Sequence, residues 1–277
     1  MIINIEINTL EELLPLITEQ KYKESIDRYR SKYVYRGMPD ASYHLQTSLY
    51  RNCKELKNEL EPSILKNFNK YAALEDPTVE HSVWRQMILG QHHGLPTRLL
   101  DWSQSVLTAM HFAVTEADLD MMDARDCVIW RLNIEELYKF LPESYRRQLD
   151  ENNTYIFNVD ALQRVAPTLE DFDRDTGGKA LAIIEPPSMD SRIISQYAFF
   201  SVIPGSMESI EAFLDEYTSH TRRYIINRAL RWRIRDMLDQ LNISERMYYP
   251  GLDGMSKWIG RHYYVKNNIL TGGSENE

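Results

Sequence analysis

Short β-prone runs are interleaved with helical ones along the whole chain, and this constrains the fold more than any other feature. Residues 2–7 (IINIEI) alternate in polarity as a strand does. Residues 32–36 (KYVYR), 126–132 (DCVIWRL), 180–185 and 197–202 (YAFFSV) are rich in β-branched and aromatic side chains. Gly37 to Asp40 and Pro186-Pro187 end two of these runs. Between them, Leu10, Leu13, Leu14 and Ile17 form a helical stripe behind a Thr9–Glu12 capping box. Residues 18–31 are polar and read as helix or turn. Residues 50–90 read as two helices split near Asp76-Pro77, and Ser103 to Ala117 as a third. Residues 150–180 carry Asn, Pro and Gly-Gly and read as a long loop, a lid or an insertion. Ile210 to Tyr217 fits a helix. Arg222 to Asn242 fits a longer one, with Ile226, Leu230, Ile234 and Leu238 as its core row. The pattern predicts an α+β fold: one domain with a small mixed or split β-sheet surrounded by many helices. Residues 1–32 read as a strand–helix extension and 263–277 as a disordered tail.

Composition narrows the function classes. The length, 277 residues, allows one large domain or two small ones. Asp+Glu (41) exceeds Lys+Arg (32), a net charge of −9, which excludes coating nucleic acid by bulk electrostatics and leaves room for a local basic site. Cys53 and Cys127 have no CxxC partner, so a reduced, cytoplasmic setting is expected. The N-terminus lacks the basic region of a signal peptide, and no apolar run is long enough to span a bilayer. Walker A, GxGxxG and GxSxG motifs are absent.

Four constellations carry polar chemistry. Tyr35-Arg36-Gly37 ends a predicted strand: Arg36 suits phosphate or carboxylate, and Gly37 lets a ligand approach the backbone, or the arginine simply precedes a tight turn. Gln91 to Ser103 (QHHGLPTRLLDWS) reads as a loop before a helix capped by Asp101 or Ser103. In the plainer version Asp101 only caps and Arg98 only pairs with it. Adjacent His92 and His93 point apart in an extended chain, so no metal site is expected. In the third, extended backbone puts Arg192, Ile194, Gln196, Ala198 and Phe200 on one face, aimed into a cleft or simply the polar face of an ordinary edge strand. In the fourth, Arg228, Arg231 and Arg235 follow i, i+3, i+7 spacing, a basic strip that suits RNA or an acidic partner, or a solvated helix face.

Taken in order, three of these segments resemble the FRG domain. Tyr35-Arg36-Gly37 stands for its Phe-Arg-Gly motif, and Gln91 to Trp102 for its QHxGLPTRLLDW block, followed by Ser105 to Ala113. Arg192, Gln196 and Phe200 stand for an Arg-x-x-x-Gln-x-Gly-x-Phe motif, with Ala198 in place of Gly. Tyr249 to Gly254 also fits, so the resemblance spans residues 33–262. The layout is similar to arginine-type ADP-ribosyltransferases. That implies a transferase-like core in which Arg36 clamps the NAD diphosphate and the Gly37 backbone meets the nicotinamide amide. Tyr35, His92, Arg98 and Ser103 line the NAD site, and Asp101 or Gln196 orients the attacking group. The family's catalytic Glu falls on Gln196, which cannot supply negative charge, so Asp101 or Glu185 would have to. The resemblance also implies a bacterial toxin of a toxin–antitoxin or phage-defence system, with an antitoxin partner and an RNA or protein acceptor. The alternatives are a non-catalytic nucleotide- or partner-binding module, and a nucleotide or nucleic-acid hydrolase using His92 and Asp101.

Overall fold

A computed structural model describes residues 1–74, 76–188 and 195–266. Its centre is a seven-stranded sheet ordered β1-β9-β6-β4-β5-β8-β7. The strands are β1 (Ile3–Ile7), β4 (Tyr33–Met38), β5 (Leu99–Ser103), β6 (Cys127–Asn133), β7 (Ala182–Ile184), β8 (Ala198–Val202) and β9 (Arg222–Ile226). Neighbours are antiparallel except β1 and β9, which run parallel. A separate hairpin pairs β2 (Lys21–Lys23) with β3 (Arg28–Arg30). The α+β expectation holds: each of the five β-prone runs supplies a strand, and β5 and β9 come from segments that read as loop and helix.

The middle of the sheet is nearly divided. β4 pairs with β6 over six residues, but with β5 only through Tyr35 and Ser103. Hydrophobic packing follows the division. On one face Val34, Trp102, Trp130, Ile183 and Phe199 belong to one core that crosses it, with the helices Ile134–Tyr138 and Ile210–Tyr217. On the other face there are two cores. One covers β1, β9, β6 and β4 under the helices Val106–Ala113 and Arg231–Gln240. The second covers β5, β8 and β7 under helices that include Val83–His92 and Val159–Val165. A cleft opens on that face where the two cores part.

Several local expectations are corrected. Residues 150–180 are not one long loop: the helices Val159–Val165 and Leu169–Thr176 occupy about half of it, capped by the Asn158 and Thr168 side chains. The single helix expected over 222–242 is a strand, β9, followed by the helix Arg231–Gln240. Ile226 belongs to the strand, while Leu230, Ile234 and Leu238 do form a buried row. Residues 18–31 contain the β2–β3 hairpin. The N-terminal strand is the edge of the main sheet, held by β9. The expected tail falls outside the described residues from 267 onward, as does Arg192 of the third motif.

Candidate functional site

Arg36 sits on β4, one residue past the last bridge to β5. Its Nη1 donates to the Asp101 carbonyl oxygen (2.8 Å) and lies 3.4 Å from Asp101 Oδ2. The guanidinium thus stands where a backbone ladder would have continued. The side chain is 21% exposed, and its Nε is buried with no hydrogen-bond partner among the described residues. Burial pulls Arg36 below the ordinary guanidinium pKa, against the opposing field of Asp101.

Asp101 is not a helix cap. It lies in β5, whose residues Leu99, Asp101 and Ser103 face the divided side while Leu100 and Trp102 enter the continuous core. Its Oδ2 accepts from Gln91 Nε2 (3.0 Å), and Gln91 Oε1 accepts from Thr97 Oγ1 (2.6 Å). Oδ1 makes no hydrogen bond among the described residues, and the carboxylate is half exposed. The helix Val106–Ala113 is capped instead by Ser105. Ser103 Oγ donates to the Gln196 carbonyl (2.7 Å) and accepts from Ser105 N (3.0 Å), tying β5, β8 and that helix together.

These side chains face one cleft of about 340 Å³. It is lined by Tyr35, Arg36, Gly37, Asp101, Ser103 and Gln196, with Thr108, Ala109, Phe112, Ala198 and Tyr249 completing the wall. Three motifs far apart in sequence meet there. Tyr35 is buried, and desolvation pushes its hydroxyl up to about 12, so it stays protonated.

Gly37 has a role the sequence reading did not foresee. A Cβ on it would stand 1.8 Å from Ala109 O and 2.6 Å from Ala113 N. The backbone that approaches this glycine is the helix Val106–Ala113, whose small Ala109 and Ala113 permit the contact. The side of Gly37 that a side chain would occupy is therefore filled by the protein itself, while the residue still lines the cleft.

Two other expected site residues are elsewhere. Arg98 does not line the cleft and does not pair with Asp101. It is buried against Glu61 and Asp173, at 2.6 Å from Asp173 Oδ1. His92 ends the helix Val83–His92, rings edge-on with His93, and is not part of the cleft lining. Asp101 Oδ2 is engaged by Arg36 and Gln91. Glu185 is exposed and also absent from the lining.

The basic strip is corrected outright. Arg231 and Arg235 are 0% and 1% exposed. Arg231 donates to the Arg125 carbonyl and faces Glu116. Arg235 pairs with Glu245, which also holds Arg261. Arg228 is exposed but lies before the helix, its backbone N–H bonded to Asp126. Helical spacing relates Arg231 and Arg235, and counter-charges from Glu116 and Glu245 accompany the burial of both.

The sequence reading missed Tyr249, Phe112 and Thr108 as cleft residues. Tyr249 stood in the Tyr249–Gly254 motif, a signal that was present but unassigned.

Residues 31–121 match the FRG domain. No curated protein and no solved structure matches the chain. The matched segment carries β4, β5 and the helix Val106–Ala113, so it supplies Tyr35, Arg36, Gly37, Asp101 and Ser103 to the cleft. Gln196 and Tyr249 come from outside it. No described helix is long and apolar enough to cross a membrane.

Proposed function

We propose that this chain, whose FRG domain frames the cleft, is an NAD-dependent ADP-ribosyltransferase. The observation that carries the reading is the meeting of Arg36, Asp101 and Gln196 in one cleft at the division of the sheet. The donor set suits a nucleotide diphosphate: the Arg36 guanidinium is a partly desolvated cation at the cleft, where a charge-assisted bond to an anion is stronger than in water. Bound NAD supplies a glycosidic bond whose cleavage releases nicotinamide and leaves positive charge on the ribosyl carbon.

Asp101 is the negative group at hand. Gln91 and Arg36 fix one of its oxygens, and the other is left to face developing positive charge or to take the acceptor's proton. Gln196 is neutral and acts by hydrogen bonding, orienting the attacking group. Ser103 fixes the Gln196 backbone, and Phe112 and Tyr249 give the cleft an aromatic wall. Asp101 therefore takes the electrostatic part that a Glu at position 196 would have played.

The test is purified protein with labelled NAD and cell extract, reading released nicotinamide and label in the protein and nucleic-acid fractions. Wild type is expected to turn over, and Asp101→Asn to lose about 10²–10³-fold in rate. The toxin role is tested by induced expression in a bacterial host, where wild type arrests growth and Asp101→Asn does not. Saturable NAD binding with no nicotinamide release would replace this reading with a non-catalytic binding module.

A further inference from the structure

Between Lys21 and Lys32 stand five basic residues and two acidic ones, in a chain of net charge −9. The β2–β3 register opposes Lys21 to Arg30, Tyr22 to Tyr29, and Lys23 to Arg28. Directly opposed residues share a face, and faces alternate along a strand. Four cations therefore occupy one face of the hairpin and two tyrosines the other. Every residue of both strands is exposed.

Like charges opposed across a ladder destabilise it, and a lone two-stranded hairpin is marginal to begin with. Among the described residues little offsets this. Arg28 lies 3.9 Å from Asp27, both well exposed, and otherwise Arg28 and Arg30 donate to the Asp27 and Tyr29 carbonyls. A face electrostatically set against itself is complementary to an external polyanion.

The opposite face selects among polyanions. Tyr22 and Tyr29 are 50% and 60% exposed with ring centroids 5.4 Å apart. Tyr29 and Arg30 form a wall of a second cavity, of about 570 Å³, which Gln20, Ser31, Gln104 and Tyr197 also line, together with Glu19, whose carboxylate is neutralised by Arg131. Amides and hydroxyls pair with base edges, and an exposed aromatic ring accepts a base face. An acidic peptide would use the cations and leave this cavity without a role. The cavity shares Tyr35 with the Arg36–Asp101 cleft, so a strand docked here lies beside it.

We propose that the β2–β3 hairpin binds single-stranded nucleic acid. Phosphates lie along Lys21, Lys23, Arg28 and Arg30, and one base enters the cavity beside Tyr29. This assignment involves no NAD and stands apart from the transferase reading.

Fluorescence anisotropy of the intact protein with short labelled strands of RNA and of DNA tests it. Four phosphate contacts give a slope of log affinity against log salt of about −2.8, and Lys23→Gln with Arg28→Gln lowers it to about −1.4. Tyr29→Ala weakens binding about tenfold through one lost stacked base. Thermal melting of these variants stays at the wild-type temperature, because the altered side chains are exposed. A slope unchanged in the double variant would overturn the proposal. So would undiminished binding by Tyr29→Ala, or a polyglutamate peptide of equal charge competing as well as an unlabelled strand.

Discussion

Replacing Gly37 with alanine separates two accounts of this glycine. In one it admits a ligand; in the other it admits the helix Val106–Ala113. The added Cβ would meet Ala109 O at 1.8 Å and Ala113 N at 2.6 Å, and both are backbone atoms that cannot swing aside. Ordinary contact is roughly 3.4 Å or more, so the helix would have to retreat by about 1.5 Å. That retreat would pull Ala109, Met110 and Ala113, all nearly inaccessible, away from β4 and β6. Overpacking in well-filled cores costs typically about 1–3 kcal/mol, and the rigid partner here places Gly37→Ala at about 3 kcal/mol or more. For a chain of this length that lowers the melting temperature by about 5 °C or more. Calorimetry or circular dichroism melts measure it. The double variant with Ala109→Gly is expected to melt no higher, because the clash is with the carbonyl and not the Ala109 side chain. A Gly37→Ala protein that melts like wild type but no longer binds NAD would refute the reasoning and restore the ligand-approach role.

Two further outcomes follow from buried charge. Arg98→Met leaves Glu61, 2% exposed, without its cation, and is expected to cost about 3–5 kcal/mol in guanidinium unfolding while the folded fraction keeps its NAD turnover. His111 is 1% exposed, and burial, aided by Arg235, lowers its pKa to about 3. The unfolded chain binds a proton below its ordinary value of 6.5 that the fold refuses. Stability therefore falls as pH drops from 6.5 toward 3, by at most about 1.4 kcal/mol per pH unit from this residue. Melts of wild type and His111→Gln across that range should show a shallower acid slope in the variant; parallel curves would exclude His111 as a source.

Fold class was legible in the sequence because strand signals recur between helical stretches, and each β-prone run became a strand. The site was legible in part. Arg36, Asp101 and Gln196 stood out as chemistry in three motifs, but their distance in space depends on a strand order that no local pattern encodes. Asp101 was misplaced because Gly94 and Pro96 dominated the reading of its segment, although Leu100 to Ser103 alternates apolar and polar as a strand can. Lys-Tyr-Lys and Arg-Tyr-Arg alternate in the same way, and that period-2 signal in 21–30 went unread because every side chain is polar or amphipathic. Arg231 and Arg235 misled for a different reason. Helical spacing tells which residues share a face, and burial of that face depended on Glu116 and Glu245, which come from other segments.

The edge pairing of β1 with β9 has a consequence for synthesis. Ile3 to Ile7 leave the ribosome long before the strand that completes their hydrogen bonding, Arg222 to Ile226. Until then the earliest segment has no partner, and contacts this distant in sequence form slowly. Gln196 and Tyr249 arrive late as well, so a nascent or truncated chain holds Arg36 and Asp101 without the remainder of the cleft. The cleft is thus completed only once Tyr249 has been made, which delays any chemistry of the cleft well beyond the synthesis of Arg36 and Asp101.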